Sequence, residues 1–185
     1  MFYANLQVRG GLAVIKVSIM NSICCLYHGS TKTTRQAKEL LRKPAKIITS
    51  RSDLADLFRG LKTVAVVGLS PKPERDSYRV ARYLQQQGIA IIPIRPGQKE
   101  ILGATAYPSL DDVPVPVDIV DVFRSSDKVL AHAHEALRLK PGAFWMQLNI
   151  ENLEAADLLT AAGIDVVMNR CIKIEHARRF NRCSK

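Results

Sequence analysis

The sequence predicts an α/β fold, a Rossmann-like three-layer αβα sandwich with a mainly parallel sheet of about five strands. Three observations carry this. Short apolar runs alternate with segments of helical period, the signature of βαβ units. The runs are continuous rather than alternating, as in strands buried on both faces. The first long run, Val64 to Val67, ends at Gly68, and a polar loop broken by Pro71 and Pro73 then opens a helix near Ser77. Strand, small-residue loop and helix N-terminus is an arrangement that suits phosphates, because free backbone N–H groups and the helix dipole point at the anion.

Taken in order, Ser50 or Ser52 can cap a short helix over Asp53–Arg59, with Leu54, Leu57 and Phe58 at helical spacing and Gly60 as its stop. The strand Thr63–Gly68 follows. From Ser77, Val80, Ala81 and Leu84 share one helix face and Gly88 ends the helix. Ile89–Ile94 is a second buried strand, closed by the turn Arg95-Pro96-Gly97. Gln98–Pro116 reads as loop, with a single turn near Leu110–Val113. Val117–Phe123 is a third strand. A helix then runs to about Leu139, with Val129, Ala133, Ala136 and Leu137 inward, and Pro141-Gly142 breaks it. Ala143–Leu148 is a fourth strand, with Trp145 in the core. A helix over Glu151–Ala162 with Leu153, Ala156 and Leu159 on one face precedes a fifth strand, Ile164–Met168. In such a sheet, ligands bind outside the carboxyl ends of the strands.

Residues 1–49 read as a basic N-terminal extension, and 50–185 as the domain. Of a net charge of +10, residues 1–46 supply seven, with eight Lys/Arg against Glu39 alone. The basic excess therefore belongs to the front segment, and with few aromatics interleaved it does not predict specific nucleic-acid binding. Leu12–Ile23 is interrupted by Lys16, Ser18 and Asn21, too short and too polar for a membrane span. The extension is expected to be disordered or a start opened upstream, with Met20 as an internal candidate; an organellar transit peptide is the alternative. Cys24, Cys25, Cys171 and Cys183 form no C-x-x-C pair, so no zinc or thioredoxin-like motif is predicted, and a cytoplasmic, reducing compartment is the natural reading.

The loop after Gly68 is neither G-x-G-x-x-G nor G-x-x-x-x-G-K-[ST]. At the end of the second strand, where a dehydrogenase would place an acid for the ribose, the chain has Arg95-Pro96-Gly97-Gln98-Lys99. A cationic turn there suits a phosphorylated ribose, as in NADP or coenzyme A; a solvated basic turn is the alternative. His132 and His134, two apart on a helix, face different directions and do not predict a shared metal.

The stretch from Val64 to Glu175 resembles the small stand-alone CoA-binding proteins, whose Rossmann-like domain is similar to the CoA-binding domain of the succinyl-CoA synthetase α subunit. The strings that carry the likeness are V-V-G-L-S-P-K-P-E-R-D-S-Y-R-V-A-R-Y-L at Val66–Leu84, I-P-I-R-P at Ile92–Pro96, L-G at Leu102–Gly103 with Y-P-S-L at Tyr107–Leu110, V-D-I-V-D-V-F-R at Val117–Arg124, W-M-Q-L at Trp145–Leu148 and N-R-C-I-K-I-E-H at Asn169–His176. The resemblance implies that Gly68, Leu69, Ser70 and Lys72, with Ser77 and Tyr78 at the helix start, take the CoA pyrophosphate. It implies that Arg95, Pro96 and Lys99 receive the 3′-phosphate end, that Phe123 and Arg124 line the adenine side, and that Gln147 meets the pantetheine arm. Two positions depart from the pattern: Asn149 stands where many relatives carry glycine, and Asn169 where many carry aspartate.

The reading that follows is a binding protein for coenzyme A or an acyl-CoA, without catalysis of its own, and with a protein partner or a homo-oligomer open. One alternative is an acyl-CoA ligase subunit, which needs a phosphorylatable histidine in a following domain and an ATP-grasp partner; a chain ending at Lys185 is not expected to supply that domain. The other is an NADP-linked oxidoreductase, disfavoured by the missing glycine fingerprint. Cys171 is read as a small buried hydrophobe rather than a reactive thiolate.

Overall fold

A computed structural model describes residues 44–180. Five strands form one parallel sheet: β1 (Thr63–Val67), β2 (Ala90–Ile94), β5 (Ile119–Val122), β6 (Ala143–Met146) and β7 (Asp165–Val167), in the spatial order β2-β1-β5-β6-β7. Among the described residues five α-helices accompany it: α1 (Arg51–Leu57), α2 (Asp76–Gln86), α3 (Val129–Leu139), α4 (Leu153–Ala161) and α5 (Ile172–Phe180). A small antiparallel pair, β3 (Glu100–Ile101) and β4 (Ala104–Thr105), lies in the connection from β2 to β5. None of these helices is long and apolar enough to cross a membrane.

The sheet strands are mostly apolar because each face meets a helical layer; Asp121 within β5 and the strand-end residues Thr63 and Asp165 are the polar exceptions. Ala65, Val67, Val120, Val122, Phe144 and Met146 pack with Ala133, Ala136, Ala156 and Leu159 of α3 and α4. Val64, Val66, Ile119, Trp145 and Val167 pack on the other side with Leu54, Phe58, Leu84 and Ile172. Burial of this kind stabilises by roughly 25 cal/mol per Å² of apolar surface. Pro93, within β2, is tolerated because β2 is an edge strand. Its outer side is covered by Tyr107, whose N–H donates to the Pro93 carbonyl at 2.9 Å.

The helix ends follow local chemistry. Ser50 caps α1, its hydroxyl accepting the Asp53 N–H at 3.1 Å. Asn152 does the same for α4, accepting from Ala155 at 2.8 Å. Lys140 ends α3 in the left-handed region at φ 53°. Asp118, just before β5, accepts the N–H groups of Lys62 and Thr63 at 2.8 and 2.9 Å and so ties the start of β1 to β5.

Two expectations need correction. Leu153 is not on the inner face of α4; it is 67% exposed, and Ala155, Ala156 and Leu159 are buried instead. The segment 98–116 holds, besides loop, the β3–β4 pair, which was not expected; the turn expected near Leu110–Val113 is present as a 3-10 turn, Leu110–Asp112, closed by a Ser109–Asp112 capping box. That turn is held to α3 by the Leu110 N–H, which donates to Glu135 at 3.0 Å, and by an Asp111–Arg138 ion pair.

Of the residues expected to form the extension, those before Pro44 lie outside the described residues. The last few join the sheet: the Ile48 N–H donates to Val166 at 2.7 Å, Ile47 bridges Val166 in parallel, and Ile48 is buried.

Candidate functional site

The strand order creates a switch point. From β1 the chain moves outward to β2, then returns past β1 to β5, so the crevice between the carboxyl ends of β1 and β5 is where an open α/β sheet accepts a ligand. Gly68 follows β1 there at φ 81°, its N–H donating to the Ile94 carbonyl at 3.0 Å. A Cβ on Gly68 would sit 2.8 Å from the Phe123 carbonyl oxygen and 3.3 Å from Cδ and Nε of Arg124. Only glycine fits both the dihedral and the approach.

The loop after Gly68 folds on itself. Leu69 is fully buried and anchors it in the core. The Ser70 N–H donates to the Ser77 hydroxyl at 3.1 Å, and the Lys72 N–H donates to the Ser70 hydroxyl at 3.2 Å. Both hydroxyls are thus used internally as acceptors, which leaves each O–H proton available as a donor. Arg75 is the N-cap of α2 and makes no side-chain cap bond, while Asp76 sets one carboxylate in the first turn of that helix. Tyr78 is half-buried against the core beneath.

Arg95 joins the second loop to the first. It is half-buried, and its Nη1 donates to the Leu69 carbonyl at 3.4 Å. Beyond it Pro96 and Lys99 are exposed on the turn around Gly97, and no hydrogen bond joins either to the Gly68 loop among the described residues.

A cleft of about 670 Å³ opens beside this loop. Its walls are the start of α2 (Asp76, Arg79, Val80), the segment after β5 (Phe123, Arg124, Ser125), the segment after β6 (Gln147 to Ile150) and the region of α5 (Cys171, Lys173, Ile174). Phe123, Arg124 and Gln147 are therefore brought together on one cleft. Gly68, Leu69, Ser70 and Lys72 of the neighbouring loop, Ser77 and Tyr78 at the start of α2, and Arg95 after β2 are not on its wall. The Arg124 Nε is buried with no hydrogen-bond partner among the described residues.

Gln147 is nearly buried, and its Nε2 donates to Oδ1 of Asp121 at 2.8 Å. Asp121 lies in the middle of β5, between Val66 and Trp145 on the flanking strands, with no exposed surface. Burial pushes its carboxyl up to about 8, partly offset by the Gln147 hydrogen bond. Its Oδ2 has no partner among the described residues. Sequence reasoning passed over Asp121, although a charge inside the run I-V-D-V was the available signal.

It also missed the wall of α5. Cys171 is half-buried rather than sealed in the core, and it lines both this cleft and a second of about 480 Å³ beside it. Lys173, whose Nζ lies 5.6 Å from the Tyr83 ring centroid, stands on the same wall. No group of three or more His, Cys, Asp or Glu side chains placed to hold a metal occurs among the described residues.

Comparison with known proteins adds to this geometry. A family model described as a CoA binding domain matches residues 62–177. The uncharacterized protein YneT of Bacillus subtilis (strain 168) is 39% identical over 128 residues, spanning 69% of this chain and 95% of YneT. The structure of cell-free ID.343 from Thermus thermophilus matches with a TM-score of 0.69 and 40% identity, covering 71% of this chain and all of that one. A dinucleotide-forming acetyl-coenzyme A synthetase 1 of Ca. Korarchaeum cryptofilum, in complex with phosphate and ADP, matches at 26% identity and a TM-score of 0.54, over 60% of this chain and 27% of its own.

Proposed function

This chain belongs to the CoA-binding domain family, and on that premise we propose that it binds coenzyme A, or an acyl-CoA, across the β1–β5 switch point without making or breaking bonds itself. The observation that carries the proposal is the Gly68 peptide, bare of a side chain and packed within 2.8 Å (from an added Cβ) of the Phe123 carbonyl, with the unpartnered Arg124 Nε beside it.

In this reading the pyrophosphate sits on the Gly68–Lys72 loop against the N-terminus of α2. The Ser70 and Ser77 hydroxyls donate to it, and Lys72 supplies charge. Arg95 and Lys99 meet the 3′-phosphate, Phe123 and Arg124 face the adenine, and Gln147 meets the pantetheine arm. Charge-assisted hydrogen bonds of this kind contribute on the order of 1.5–3 kcal/mol each. The two basic residues after β2 favour a phosphorylated ribose over a bare one, which separates CoA and NADP from NAD. The missing glycine fingerprint after β1 disfavours NADP.

Titration calorimetry with CoA, dephospho-CoA, NADP and NAD tests the proposal. CoA is expected to bind, dephospho-CoA more weakly, and the two nicotinamide dinucleotides not at all. Binding of NADP without CoA would overturn it.

A further inference from the structure

A carboxyl group with no exposed surface in the middle of a parallel strand is costly to bury, and Asp121 carries one directly behind a cleft residue. Its one side-chain partner among the described residues is Gln147, which reaches the cleft wall. A carboxamide is planar, with its oxygen and nitrogen on opposite sides. Once Nε2 is held by Asp121 Oδ1 at 2.8 Å, Oε1 is turned away from Asp121. No hydrogen bond to Oε1 occurs among the described residues, and it is not among the sealed unpartnered atoms that include Asp121 Oδ2.

We propose that Asp121 is a positioning residue, which fixes the Gln147 side chain with its carbonyl oxygen toward the cleft so that the cleft selects a ligand presenting an amide N–H at that point. The inference rests on the reading that the cleft takes coenzyme A, whose pantetheine arm carries secondary amides and whose adenosine 3′,5′-bisphosphate portion carries none. A free glutamine amide would offer donor and acceptor faces equally and pay rotamer entropy on binding. The buried carboxyl removes that ambiguity before the ligand arrives. Asp121 touches no ligand itself; it acts through Gln147. Trp145, paired with Asp121 across β5 and β6, supplies no competing donor, since its Nε1–H is committed to the Arg170 carbonyl at 2.6 Å.

The test is calorimetry of the full chain with two ligands, CoA and adenosine 3′,5′-bisphosphate. Gln147→Met keeps length and removes the amide; it is expected to weaken CoA about tenfold, the effect of one lost hydrogen bond, and to leave the bisphosphate within about twofold. Asp121→Leu is expected to do the same, and Asp121→Asn, which still offers Gln147 an acceptor, to recover most of the CoA affinity. The double variant Asp121→Leu/Gln147→Met is expected to be no worse than either single one, because the two act as a unit. Equal loss of both ligands in Asp121→Leu, without recovery in Asp121→Asn, would assign Asp121 a purely structural role and overturn the inference. Unchanged CoA affinity in Gln147→Met would overturn it as well, and that variant keeps the question open to refutation if Asp121→Leu does not fold. Failure of the unmodified chain to bind CoA would instead sink the parent reading.

Discussion

The backbone N–H of Asn149 donates to Oδ1 of Asn169 at 2.8 Å, and both residues hold left-handed backbone, at φ 63° and 53°. The two positions that depart from the pattern of the resembled family are thus one contact, joining the ends of β6 and β7. Asparagine is among the few non-glycine residues that accept this conformation at small cost. Asn169 also donates from Nδ2 to Glu151 at 2.8 Å. Asn149→Gly is therefore expected to leave stability within about 0.5 kcal/mol. Asn169→Asp replaces that donor by a second carboxylate facing Glu151, and should cost about 1 kcal/mol by urea unfolding near neutral pH, less in acid. A larger loss in Asn149→Gly than in Asn169→Asp would contradict this account.

Gly68→Ala places a methyl group 2.8 Å from the Phe123 carbonyl in a dihedral region unsuited to a side chain. The expected cost is about 1–3 kcal/mol of stability, with loss of CoA binding beyond detection even where the variant remains folded. Denaturant unfolding and calorimetry on the same preparation separate the two effects. A variant that binds CoA normally would show that the ligand does not approach this peptide.

Lys72 and Lys99 are both exposed, so Lys72→Ala with Lys99→Ala is expected to leave the melting temperature nearly unchanged while weakening CoA by about tenfold or more. Dephospho-CoA should be insensitive to the Lys99 change and sensitive to the Lys72 change. Equal sensitivity to both would mean that Lys99 does not meet the 3′-phosphate.

The buried Asp121 predicts a pH dependence of stability. In the unfolded chain its carboxyl ionises near 3.8, and in the folded chain near 8. Between these values the folded state holds a proton that the unfolded state has lost. Its contribution is therefore fully present below about pH 4, declines as pH rises, and is gone above about pH 8. Asp121→Asn lacks this slope, so its advantage over the unmodified protein should grow from acid to alkaline pH. Urea unfolding at about pH 5 and about pH 8.5 reads it directly; parallel slopes in both proteins would rule the assignment out.

The architecture was legible because its signals are local and repeated. Continuous apolar runs such as Val64–Val67 mark strands covered on both sides, and Gly88 and Gly163 end helices at the positions where the chain turns left-handed. The β3–β4 pair was not legible, since two residues per strand carry no period. The face of α4 was misjudged because alanines, not Leu153, fill its buried side. For the candidate site, the Gly68 loop stood out through its residue types, whereas Cys171 and Lys173 reach the cleft only because α5 returns to the carboxyl edge of the sheet after β7. That return is a matter of topology, which no stretch of neighbouring residues encodes.

The short pairing before α1 has a consequence for how the molecule ends at its rim. Val166 gives its N–H to Lys46 and its carbonyl to the N–H of Ile48, so the outer side of β7 is occupied by residues lying N-terminal to the first helix. A protease that trimmed the chain to residue 49 would remove no wall of the cleft of about 670 Å³, though it would take Ile47 and Ile48 from the second one, and it would bare the backbone of an apolar strand to other molecules. Exposed strands of this kind recruit copies of themselves. Trimming is thus expected to appear first as turbidity or larger species in solution, before any change in ligand affinity. The residues at the border of the domain are therefore expected to protect solubility rather than binding.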